Sequence, residues 1–70
     1  MSIVLNPARL ERELARRALT SAELAKAAGV SGATVTAARS GRPLSPRTVR
    51  RIVTALSSVP PIEEIETLLL

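Results

Sequence analysis

A chain of 70 residues is one domain near the lower size limit for folding without covalent staples, and with Phe, Tyr and Trp absent its core is restricted to Leu, Ile, Val and Ala. The lack of Cys and His excludes disulfides and a structural zinc site, and no apolar run approaches the ~20 residues of a membrane span. The net charge of +4 and pI of about 11.5 suit an anionic partner.

Residues 1–5 are too short and insufficiently basic for a signal peptide, so a cytoplasmic location is expected. Ile3, Val4 and Leu5 form an apolar lead-in, expected to pack on the core; the alternative is an arm reaching a partner. Asn6 and Pro7 open a first helix, with Asn as cap and Pro at the first helical position. Leu10, Leu14 and Ala18 mark its buried stripe, and the charges lie elsewhere. Glu13 and Arg17 stand at helical pair spacing, worth only ~0.2–0.5 kcal/mol.

Residues 20–41, TSAELAKAAGVSGATVTAARSG, read as two short helices joined by a tight turn. Thr20 and Glu23 form a capping box, and Leu24, Ala25 and Ala28 follow on one face. Gly29 falls where that helix must stop, because a left-handed residue costs Gly little. Ser31 caps the second helix, whose inward positions are Val35 and Ala38, and Gly41 ends it. Helix, Gly-containing turn and helix together make the frame of DNA-binding helix-turn-helix proteins.

A fourth helix is expected over residues 46–56, with Val49, Ile52, Val53 and Leu56 inward and Arg47, Arg50 and Arg51 outward. Pro60 and Pro61 break the chain there. A last helix, residues 61–70, places Ile62, Ile65, Leu68 and Leu69 on one side and Glu63, Glu64 and Glu66 on an acidic face. One regularity links the first four helix starts. Leu5 with Leu10, Leu19 with Leu24, Val30 with Val35, and Leu44 with Val49 each bracket a cap at the spacing of a hydrophobic staple. The whole reads as one all-α domain, a compact bundle of five short helices over residues 1–70, with no internal repeat.

The middle third resembles the helix-turn-helix of the phage repressor and Cro family, which typically reads LTxxELAxxxGVSxxTIxxxxxG. Leu19-Thr20, Glu23-Leu24-Ala25, Gly29-Val30-Ser31, Thr34-Val35 and Gly41 all stand in that register. The resemblance implies a lambda-repressor-like DNA-binding domain with double-stranded DNA as its partner. It implies that the helix starting near Ser31 enters the major groove and presents Gly32, Ala33, Thr34, Thr36 and Ala37 to base edges. This face is bare where the family often carries Gln, Arg or Asn, so modest direct readout is expected, aided by DNA shape.

Phosphate contacts are expected from Ser21, Ser31, Arg39, Ser40, Arg42, Ser45 and Arg47. Ser21 stands where the family often has a phosphate-binding Gln. Ser40 and Arg42 lie in the loop after the reading helix, and Ser45 and Arg47 at the start of the next one, where the helix dipole favours an anion. Arg39 departs from the family, which often has Glu there paired with an Arg on the first helix. Leu14 is read as occupying that partner position, so both halves of the pair are expected to be missing and Arg39 to face the DNA backbone; the alternative is a solvated surface charge.

Five Arg in residues 39–51 with no acid among them reinforce the reading. A GC-rich gene accounts for Arg over Lys, but not for the clustering. The expected function is a sequence-selective transcriptional regulator, a small repressor or Cro-like protein of a phage or mobile element. A homodimer through Ile62, Ile65, Leu68 and Leu69 is one use of the last helix; closing the small core is the other. The competing reading is a protein-interaction module, an antitoxin or polymerase-contacting regulator docking through that helix. Catalysis is not expected, since Lys26 is the only Lys and no His or Cys accompanies it. Neither cofactor, metal nor small-molecule ligand is expected.

Overall fold

Four capped helices and one short turn of 3-10 helix make up the computed structural model, which describes residues 1–69. The helices are α1 (Pro7–Arg16), α2 (Ser21–Ala28), α3 (Gly32–Arg39) and α4 (Pro46–Ser58), followed by the 3-10 helix Glu63–Thr67. Leu70, the end of the expected last helix, and the Glu66 side chain of its acidic face lie outside what is described.

Each α-helix begins where a side chain replaces a missing backbone partner. Asn6, Thr20 and Ser31 accept from Arg9, Glu23 and Thr34 N–H at 3.1 Å, and Ser45 accepts from Thr48 at 3.2 Å. The Glu23 carboxylate returns a bond from Thr20 N–H at 3.0 Å, completing the capping box. That backbone bond, and then the Thr20 hydroxyl, hold the Glu23 carboxyl below its ordinary range.

Three helices end alike. Leu19 N–H reaches Leu14 O at 2.9 Å, Val30 reaches Ala25 O at 3.0 Å and Arg42 reaches Ala37 O at 3.0 Å, each spanning five residues. Such a closure needs a left-handed residue just before the donor. Gly29 (φ 68°) and Gly41 (φ 73°) supply two of them, and Ala18 (φ 51°) the third. This corrects the expectation that Ala18 continues the buried stripe of α1: it is exposed, beyond the helix.

Leu24, Val35, Ala38 and Ile52 have no exposed surface and put the centre of the core between α2, α3 and α4. Leu10 and Leu14 bring α1 onto it, and small Ala25 and Ala28 let α2 approach its neighbours closely. On α4 the inward positions are Ile52 and Ala55, with Val49 and Leu56 partly packed. Val53, expected inward, is 49% exposed and borders an open apolar groove of about 240 Å³ with Leu5, Leu10, Ile52 and Leu56.

The lead-in packs rather than projecting. Ile3 and Leu44 exchange N–H···O bonds of 2.8 Å in each direction, a one-rung antiparallel bridge that ties the N-terminus to the loop after α3. Arg17 makes a second long-range tie. Its Nε donates to Leu56 O at 2.9 Å and Val59 O at 2.7 Å, satisfying carbonyls at the end of α4, while Nη1 meets Glu13 at 2.6 Å. The last helix is shorter and tighter than expected. Two prolines force an extended entry, Ile62 N–H bonds Arg16 O at 3.0 Å, and no side chain caps the start.

Candidate nucleic-acid interface

Burial of Val35 and Ala38 fixes which way α3 faces, since residues three apart share a side of a helix. Gly32, Ala33 and Thr36 are exposed on the opposite side. Thr34 and Ala37, expected among them, sit at its margins: both are half-buried, and Ala37 packs against the core. The cap at Ser31 also engages Thr34, with the two hydroxyl oxygens 2.9 Å apart. Thr36 Oγ1 donates back to Gly32 O at 3.1 Å.

Arg39 leaves the C-terminal end of α3 and is not directed freely outward. Its Nε donates to Glu11 Oε2 at 3.1 Å, Nη2 completes an ion pair with the same oxygen, and Nη1 donates to Ser21 Oγ at 2.5 Å. The expectation that an α1–α3 ion pair is missing is therefore corrected. The pair is present with its charges exchanged, Arg on α3 and Glu on α1. Leu14 is core, and the partner stands one turn earlier, at Glu11. Because Ser21 Oγ accepts from Arg39, its own proton remains for an outside acceptor.

The loop after α3 and the start of α4 lie next along the chain. Ser40 Oγ donates to Thr36 O at 2.9 Å, so its hydroxyl proton is already used. Ser45 accepts from Thr48 N–H and donates to Thr48 Oγ1 at 2.9 Å, which passes the free hydroxyl proton to Thr48. Thr48 was not singled out by sequence; its place three residues after a cap Ser is the signal that marks it. Arg42 and Arg47 are exposed and make no side-chain hydrogen bond or ion pair among the described residues. Arg51, expected outward on α4, donates to Gly29 O at 3.2 Å and braces the α2–α3 turn.

The molecule thus carries the exposed rod of α3, a polarised hydroxyl at the start of α2, and exposed cations with free donors in the loop after α3 and at the start of α4. Neutral hydroxyls, guanidinium groups and a helix N-terminus are all suited to phosphate oxygens. Among the described residues no cluster of His, Cys, Asp or Glu is able to hold a metal, and no helix is long and apolar enough to cross a membrane. Residues 9–67 match the family model of the Cro/C1-type HTH DNA-binding domain. No curated protein and no solved structure matches the chain.

Proposed function

Since the chain belongs to the Cro/C1-type HTH DNA-binding domain family, we propose that it is a sequence-selective transcriptional regulator of the repressor or Cro kind, from a phage or other mobile element. It lays α3 along the major groove of double-stranded DNA. The observation that carries this reading is the orientation of α3: two fully buried anchors, Val35 and Ala38, turn the side-chain-poor face of Gly32, Ala33 and Thr36 outward.

In this reading Gly32, Ala33, Thr34, Thr36 and Ala37 meet the base edges. Ser21, supported by Arg39, binds phosphate at the start of α2, and Ser31 caps the reading helix beside the backbone. Arg42, Arg47, the amides near Ser40 and the Ser45–Thr48 pair hold phosphates on the other flank. The role is binding, not catalysis. Residues 1–70 act as a single domain, and two copies associate through Ile62, Ile65, Leu68 and Leu69. Their reading helices then meet half-sites ~34–36 Å apart.

Fluorescence anisotropy of a labelled duplex across a salt series tests the proposal. Affinity should fall with a slope of about −0.9 per phosphate neutralised. Arg42→Ala should weaken binding to all sequences alike and reduce the slope by about one, with the preferred site unchanged. A salt-insensitive interaction, or no association with any duplex in dilute buffer, would instead favour the protein-interaction module docking through the C-terminal residues.

A further inference from the structure

The outward face of α3 is poor in hydrogen-bond donors. Gly32, Ala33 and Ala37 carry no polar side-chain atom. Thr36 has one hydroxyl proton, and it is spent on the Gly32 carbonyl 3.1 Å away. What Thr36 offers outward is therefore a γ-methyl and oxygen lone pairs. Thr34 shares a hydroxyl hydrogen bond with Ser31, so those two side chains keep a single spare proton between them, at the N-terminal margin of the face.

The glycine at the head of this face is not required by the fold. A Cβ at Gly32 would meet nothing within 4 Å, and its φ lies outside the left-handed region. The space it leaves opens outward, where a base pair would approach.

The four bases respond differently to such a surface. In the major groove guanine shows only the acceptors O6 and N7, which need donors. Thymine shows a 5-methyl group beside O4, and adenine an N6 amino donor beside N7. Cytosine N4 also donates, but its pair lacks the methyl and brings guanine's unmet acceptors. Resting on the DNA-binding reading, we infer that α3 selects A·T pairs: Ala33 and Thr36 pack methyl against thymine methyl, and Thr36 Oγ1 accepts from adenine N6.

The test begins with selection of binding sites by the full chain from random duplexes. On the preferred duplex each thymine is replaced by uracil, which deletes only the 5-methyl, and each guanine by 7-deazaguanine, which deletes the N7 acceptor. The expected result is an A·T-rich centre in each half-site. Uracil there should weaken binding about fourfold per methyl, and 7-deazaguanine at the centre should have no effect. Thr36 is exposed, so its variants keep the fold. Thr36→Ser should abolish the thymine-over-uracil preference at one position, and Thr36→Val, which keeps the methyl, should retain it. G·C-centred sites, tolerance of uracil throughout, or unchanged uracil sensitivity in Thr36→Ser would overturn the inference while leaving DNA binding intact. Absence of binding to every duplex in dilute buffer would remove the DNA-binding reading and this inference with it.

Discussion

Arg17 and Glu13 show how one side chain changes meaning between sequence and fold. At helical spacing they read as a pair of small value. In the structure the Arg17 side chain is only 10% exposed and bridges two carbonyls near the end of α4 as well as Glu13. The hydrogen bond from Arg17, more than partial burial can offset and aided by Arg16, holds the Glu13 carboxyl below its ordinary value of 4.5. A carboxyl depressed in the folded state contributes stability that is fully present above its unfolded pKa. That contribution is lost as pH falls from about 4.5 through the folded pKa. Glu23 acts in the same direction. Thermal melts should therefore be flat from neutral pH to about 5 and decline below it. Glu13→Gln should lower stability at neutral pH and make the acid decline shallower. An unchanged acid limb in that variant would show that the pair contributes nothing to it.

The helix ends define the next scale. Caps and staples were legible in the sequence because each needs a particular side chain at a particular spacing, and Asn6, Thr20, Ser31 and Ser45 all stand at helix starts. Endings are set by backbone geometry, which only Gly advertises. Gly29 and Gly41 were readable for that reason and Ala18 was not, because a non-Gly residue in the left-handed region leaves no mark in the sequence. The charge-exchanged Glu11–Arg39 pair escaped for a related reason: its members are 28 residues apart and only the α1–α3 packing brings them together. Val53 fell on the wrong side because helical spacing alone does not say how far α1 covers α4. The three similar endings give a comparison. Ala18→Gly should relieve the strained backbone and raise stability by about 1 kcal/mol, read as an increase of roughly 4–8 °C in melting temperature. Gly29→Ala should lower stability by a similar amount, since its Cβ would meet open space. Gly41→Ala should lower it more, because the added Cβ would sit 3.2 Å from Pro7 Cγ. Equal losses at Gly29 and Gly41 would show that the Pro7 contact yields without resistance.

At the scale of the whole molecule, a body of 37 × 20 × 17 Å is about as long as the ~34–36 Å between adjacent half-sites. In the proposed dimer, two copies on such a site would meet near their rims, through a patch that is apolar and its own complement. The C-terminal residues have that composition. Ile62 is 44% and Leu68 78% exposed, while Ile65 and Leu69 are half-buried. One pair is thus turned toward the domain and the other toward solvent. Leu68→Glu adds charge at the most exposed of these apolar positions, so it should leave the fold and single half-site affinity unchanged. It should cost on the order of a hundredfold on a duplex carrying two half-sites, because the second binding event no longer gains from linkage. Sedimentation velocity, with and without DNA, gives the independent readout: the variant should remain monomeric where the parent chain pairs. If both proteins sediment alike and bind both duplexes alike, the segment serves only to close the core, and the chain reads its sites one copy at a time.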